Sequence, residues 1–368
     1  LINLSFIMRN DFVLLAGLVV AAMSACTKTE GLVDHQAEAT VSFKPLTAKV
    51  TKADYITNES IDLAPSNFLF NVYAWYNTGL GNFVSDDAVE YMSNVLVKYD
   101  STIDDGTTDG NGAWKPGETY YWPKNGTLTF DAYAPSSASA DGTFSSTAAN
   151  GLEFKNYTVK GLDDQYDLLY SSRTYNKTTS TNGTNSTYDG VDIVFNHALS
   201  AIEVKVKTTD DYNGYIKLKN VSVLNAYNKG TFNQNYKEGY AEASVPSAWT
   251  GHEGNVSYEL FNDNAGVILT SDALASVKNA IVLPQKFDHQ TGKVSIKVDY
   301  SIKHGKKWLD QTSTFDLEGL YDQDLNVINE WEIGKRYIYT IKFALEKIYF
   351  APSVNPWTDV TMGGIVVH

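Results

Sequence analysis

The chain carries a single cysteine, Cys26, in 368 residues, so no internal disulfide is available and stability after export must rest on packing and backbone ladders. Positive charge is scarce: 29 Lys and Arg stand against 43 Asp and Glu, a formal net charge of -14. Nothing concentrates positive potential on one face, so phosphate backbones and anionic lipid surfaces are poor partners and no nucleic acid is expected. The six histidines show no HExxH spacing and have no cysteine partners, which leaves a zinc site unsupported. A GxSxG elbow, a Walker-type glycine loop and a GxGxxG turn are all absent, and carboxylates without an assigned pairing do not make a glycosidase. "DDGTTDGNG" from Asp104 lacks the ligand alternation and closing glutamate of an EF-hand loop and reads as an acidic turn. No enzymatic step, cofactor or metal is expected.

Tyrosine, phenylalanine and glycine are plentiful, and Thr, Ser, Asn and Val recur throughout, the profile of pleated strands joined by polar turns. Apolar runs alternate with turn-rich segments and no helix-period stripe persists, which predicts an all-β fold. Strand runs in the first half include "ATVSFKPL" from Ala39, "FLFNVYAWY" from Phe68, "TLTFDAYAP" from Thr127 and "YDLLYSS" from Tyr166. In the second half they include "VDIVFNHALSAIEVKVK" from Val191, "YIKLKNVSVLNAY" from Tyr215 and "KVSIKVDYSI" from Lys293. The polar stretch from Tyr175 marks the division, giving one unit over 27–190 and another over 191–368. One short segment, "LTSDALASVKNA" from Leu269, has helical character. His197 reads as a buried hydrogen-bonding residue. Trp75, Trp114, Trp249, Trp308 and Trp331 read as fillers of the core or the domain junction, with stacking on sugars as the alternative.

The only long apolar run, Phe12 to Met23, follows Met8 and Arg9 and ends in Ser24-Ala25 before Cys26. It falls short of the roughly 20 residues a bilayer-spanning helix needs, and it reads as a secretory leader. Residues 1–7 precede the first methionine and are expected to lie outside the translated chain. The segment 1–26 resembles a bacterial lipoprotein signal. That resemblance implies a diacylglycerol on the Cys26 sulfur, a further acyl chain such as palmitate on its amine, and an outer-membrane lipoprotein. Several chains hold durably, since each buried methylene adds about 0.8 kcal/mol. An ordinary cleaved leader with an incidental cysteine is the plainer reading.

Five stretches taken in order, "FNVYAWY" (Phe70 to Tyr76), "YYWPKNGTLTFDAYAP" (Tyr120 to Pro135), "FNHALSAIEVKVK" (Phe195 to Lys207), "IVLPQ" (Ile281 to Gln285) and "GKRYIYTIKF" with "IYFAPSVNPW" (Gly334 to Trp357), resemble the fimbrillin family of Bacteroidetes. The resemblance implies two tandem transthyretin-like β-sandwich domains, export as a lipoprotein, and a place in a cell-surface fimbrium as stalk, anchor or tip. It also implies assembly by donor-strand exchange: a trypsin-like protease removes the first strand and a terminal strand of another pilus subunit, of the same or a different kind, fills the groove. A sandwich short of one strand exposes unpaired backbone groups beside an apolar slot, and an added strand satisfies both.

By that resemblance the removed strand lies within 39–52, with Val41, Phe43 and, past Pro45, Leu46 pointing inward, and Lys49 or Lys52 as the trimming site. The plain reading of the two lysines is solvated surface charge. At the other end, 359–368 offers Val360, Met362, Ile365, Val366 and Val367. Ten residues at roughly 3.3 Å each reach about 33 Å, enough to lie along a neighbour's groove. Two readings stay open there: an exported donor strand, or the last strand of the chain's own second domain. The expected partners are other subunits, membrane lipid through Cys26, the protease, and a host or bacterial surface receptor. The rival functional class is a lipoprotein that never polymerises and binds glycans or host proteins.

Overall fold

The computed structural model describes residues 35–47, 65–79, 83–102, 113–178, 190–236, 247–288, 292–344 and 348–357. Cys26, Lys49, Lys52 and the stretch holding Val360, Met362, Ile365, Val366 and Val367 lie outside the described residues. The fold is all-β, with helical turns confined to short 3-10 segments such as Ser136–Asp141. Among the described residues no helix is long and apolar enough to cross a membrane.

The first half carries β1 (His35–Thr40), β2 (Phe43–Thr47), β3 (Phe70–Asn77), β4 (Val89–Asp100), β5 (Ala113–Pro116), β6 (Tyr121–Pro123), β7 (Thr127–Ala134), β8 (Thr143–Thr147), β9 (Gly151–Thr158), β10 (Leu169–Ser171), β11 (Thr174–Lys177) and β12 (Val191–His197). The second carries β13 (Ser200–Thr208), β14 (Ile216–Ala226), β15 (Lys229–Asn233), β16 (Ala248–Glu253), β17 (Val256–Ile268), β18 (Ala280–Val282), β19 (Gln285–Lys286) and β20 (Ser295–His304). It ends with β21 (Lys307–Asp316), β22 (Leu320–Tyr321), β23 (Val327–Ile328), β24 (Glu330–Trp331), β25 (Lys335–Phe343) and β26 (Ile348–Pro356).

An eight-stranded sheet runs β10-β12-β2-β5-β4-β3-β7-β11, and β10 also pairs with β7. That extra pairing closes the order from β10 round to β7 into a ring. Closure removes the free edges an open sheet would present. The ring interior is apolar and aromatic: Phe43, Phe70, Phe130, Phe195 and Trp122 are all under 3% exposed. β3 and β7 are buried along their whole length because both of their faces are covered, which explains why "FNVYAWYN" reads as a continuous apolar run with no alternation.

What covers the outer face is a second sheet, β16-β15-β9-β8, built from strands of both halves and joined where β9 pairs antiparallel with β15. Its aromatic filling includes Phe154 stacked on Phe232 with centroids 4.9 Å apart, and Trp249, whose indole N–H donates to the Ala198 carbonyl at 2.6 Å.

Two four-stranded sheets, β18-β13-β25-β26 and β17-β14-β20-β21, make the sandwich of the second half. β13 and β25 run parallel from Ala201↔Arg336 to Thr208↔Phe343, and their even alternation of buried and half-buried positions puts Ile202, Val204, Val206, Tyr337, Tyr339 and Ile341 into its core.

Val191 to His197 pairs in the ring as β12, and the change of sheet falls between His197 and Ser200. One expectation differs from the structure. The segment from Leu269 to Asn279 forms bends and turns, not a helix. Its backbone bonds go outward, Leu274 N–H to Val206 and Lys278 N–H to Leu260, and packing over two strands outweighs its helical propensity.

Candidate functional site

The ring has one seam unlike the others. β2, the second strand of the described chain, lies between β12 and β5. Along its five residues it pairs parallel with β12, from Phe43↔Val191 to Thr47↔Phe195, whereas towards β5 it has the single pair Phe43↔Trp114. Before it, β1 pairs with β6, and Val41 N–H donates to the Tyr120 carbonyl at 2.8 Å. Among the described residues β2 and β12 make the one parallel pair of this sheet, and the chain from one to the other passes through the whole of the intervening sheet.

Val41 and Phe43 are 1% and 2% exposed. The Phe43 ring meets Phe70 at 6.0 Å and Phe130 at 5.6 Å, both edge to face. Leu46 is half-buried, while Pro45 takes the next buried position, because inward residues on a strand recur every second position and 41, 43 and 45 share one face. Pro45 brings no N–H to the ladder, which suits a strand with so few bonds on one side.

Gly190, just before β12, completes the slot. Its φ is +76°, and a Cβ there would stand 2.7 Å from the Phe43 carbonyl carbon. The missing side chain lets β12 come against the β2 backbone, and the Val191 N–H reaches the Ser42 carbonyl at 2.8 Å.

The wall behind the slot is held by a buried ion pair. Arg173 grips Asp131 of β7 through Nε at 2.9 Å and Nη2 at 2.6 Å, and both side chains are at most 1% exposed. Arg173 also donates to the carbonyls of Thr147 and Ala148, and Ser146 donates to Asp131. Its backbone N–H donates to the Tyr236 hydroxyl at 2.6 Å. Burial alone would depress the guanidinium, but the adjoining Asp131 carboxylate more than offsets this and holds its pKa above the ordinary value. Residues of β7, β8 and the stretch after β15 are thereby fixed to one cation.

The other end of the described chain is anchored beside the slot. β26 pairs with β25 along all nine of its residues. The Gln323 carboxamide clamps it again, donating to the Val354 carbonyl at 2.8 Å and accepting from the Val354 N–H at 3.0 Å. Trp357 follows, and its ring stacks on His197 with centroids 4.3 Å apart. His197 is buried as expected, its Nδ1 2.8 Å from Asp167. Since His197 ends β12, the point from which the chain continues into 358–368 touches the strand that borders the slot.

A second concavity, a cleft of ≈ 700 Å³ in the second half, is lined by Trp249, Trp331, His252 and Gln285 among others. Trp249 and Trp331 are 7% and 1% exposed, so they offer little ring face for sugar stacking. Among the described residues no group of three or more His, Cys, Asp or Glu side chains gathers to hold a metal. The sequence reading singled out neither Arg173, Gly190 nor Gln323; an arginine inside the apolar context "LLYSSRTY" was the one available signal.

The sequence profile described as fimbrillin-like matches residues 64–357. No curated protein matches the chain. Among solved structures, a fimbrial protein from Bacteroides vulgatus superimposes with a TM-score of 0.53 at 17% identity, covering 87% of this chain and 99% of that one. A fimbrilin from Porphyromonas gingivalis gives 0.42 at 11% identity, covering 89% and 99%. The tip fimbrial protein of Porphyromonas gingivalis, with a C-terminal truncation, gives 0.40 at 12% identity, covering 79% and 94%.

Proposed function

Because the chain belongs to the fimbrillin-like family, we propose that this subunit of a cell-surface fimbria assembles by exchanging its β2 segment for a terminal strand of a neighbour. The observation that carries the reading is the β2 seam: a strand with an aromatic plug deep in the ring, full pairing on one side and almost none on the other. Cutting the chain after such a strand leaves these contacts and the β1–β6 pairing to hold it, and a competing strand with better apolar side chains then replaces it without disturbing the rest of the ring.

In this reading Cys26 carries lipid to the outer membrane, a trypsin-like protease cuts at Lys49 or Lys52, and Val360, Met362, Ile365, Val366 and Val367 fill the slot of the next subunit. Val41, Phe43 and Leu46 leave with the removed segment. The role is structural, in adhesion, with no reaction catalysed by the chain.

The test is trypsin treatment of purified full-length chain followed by electrophoresis without boiling. A new amino terminus at Val50 or Ala53 with laddered multimers is expected, and both should vanish in the Lys49→Ala, Lys52→Ala double variant. Deleting everything after Trp357 should abolish the ladder and leave the cut intact. A surface form beginning at lipidated Cys26 that never multimerises would overturn the proposal in favour of a retained monomeric lipoprotein.

A further inference from the structure

The β20–β21 hairpin, "KHGKKWL" from Lys303 to Leu309, turns at the far end of the second sandwich. Pairing sets Lys303 opposite Trp308, and the Lys303 N–H donates to the Tyr215 carbonyl at 2.8 Å, so Tyr215, Lys303 and Trp308 form one row across three neighbouring strand positions. In the next row Lys217 lies beside Ser301 and opposite Ile268. Lys217 Nζ stands 4.9 Å from the Trp308 ring centre, and Lys303 Nζ stands 5.8 Å from that of Tyr215.

Lys306 and Lys307 crown the turn beside His304. Among the described residues none of Lys217, Lys303, Lys306 and Lys307 has a carboxylate partner, and the one acidic side chain in the row, Asp310, is engaged by Lys219 and Ser301. Tyr215 and Ile268 are about half exposed. The chain is strongly acidic overall, yet three of these lysines fall within "KHGKK", and folding adds Lys217 beside Trp308.

We infer that this face binds acidic polysaccharide, a carboxylated or sulfated glycan, through lysine ammonium groups set between two aromatic rings. Strands roughly 4.8 Å apart put Tyr215 and Trp308 about 9.6 Å from one another, on the scale of a disaccharide, with Lys303 between them at the place of an acidic substituent. The aromatic rings offer apolar faces to sugar C–H groups, and the lysines supply charge complementarity at the rim. A polyanion with sparse charge suits this surface better than nucleic acid. Duplex binding at physiological salt draws on about six to ten phosphate contacts, more than these lysines provide in a chain of net charge -14. The site is separate from the β2 seam, because no strand of the ring contributes to it.

Affinity chromatography and titration calorimetry on the full chain test this, with polygalacturonate as the carboxylated probe, dextran sulfate as the sulfated one, neutral dextran as control, and a single-stranded oligonucleotide and phosphatidylglycerol vesicles as rivals. Binding to either acidic polysaccharide, lost on neutral dextran and weakened by salt, is expected; the stronger of the two names the substituent. Lys303→Gln with Lys217→Gln should weaken it about ten-fold, and Trp308→Ala about five-fold. Lys306→Glu, on the exposed turn, keeps the test decisive should Trp308→Ala unfold, and should weaken binding about five-fold or more. Undiminished binding in these lysine variants, no binding at low salt, or tighter binding to the oligonucleotide or the vesicles would overturn the inference.

Discussion

The ring and the second sandwich are built from the same kinds of strand, but they differ in how their strands are fastened. In the sandwich β20 pairs with β21 along ten residues and β25 with β26 along nine, each with its neighbour in sequence. In the ring, β2 arrives from the chain start, lies parallel to β12, and meets β5 at one residue. A core can therefore be complete in side chains while incomplete in local connections, and such a core is one that a cut and a substitute strand can exploit.

Phe43→Ala strikes that difference hardest. It removes a ring from between Phe70 and Phe130 and should cost about 3–5 kcal/mol, read as faster hydrogen exchange in β3 and β7 with β20 and β21 unchanged. Equal acceleration in both regions would make them one cooperative unit and break the comparison. Asp131→Asn should cost about 3 kcal/mol or more, because the buried Arg173 cation loses its counter-charge. Its exchange signature should extend to β8 and β9, which the Arg173 bonds reach through Thr147 and Ala148.

Gly190→Ala sharpens the picture further. In the intact chain the added methyl meets the Phe43 backbone and should cost about 2 kcal/mol, hastening proteolysis at Lys49 and Lys52; once the β2 segment is gone only the left-handed φ penalty of about 1 kcal/mol should remain. The smallest change is expected from Gln323→Ala. Loss of two side-chain bonds to Val354 costs about 1 kcal/mol, seen as several-fold faster exchange of the Val354 amide.

Much of the fold was legible because strand periodicity is local. "AIEVKVK" alternates in the sequence and alternates in burial, and "FNVYAWY" is unbroken in both. The β2 plug was legible at Val41 and Phe43, but Pro45 hid that the same face continues at 45 and not at 46. The membership of β12 was not legible, since "VDIVFNH" runs into "ALSAIEVKVK" with no break in pattern, and only the partners beside it decide which sheet it joins. Arg173 and the meeting of Lys217 with Trp308 escaped for the same reason. Their counterparts lie some 40 or more residues away, Asp131 for Arg173 and Trp308 for Lys217, and composition carries no record of such meetings.

The sheet drawn from both halves, β16-β15-β9-β8, has a mechanical consequence. Where two domains are strung on a linker, the molecule flexes at the linker; here strands of both halves also share one hydrogen-bonded ladder, packed with stacked rings. Turning one half against the other would therefore break ladder bonds between β9 and β15 as well as moving a connecting segment.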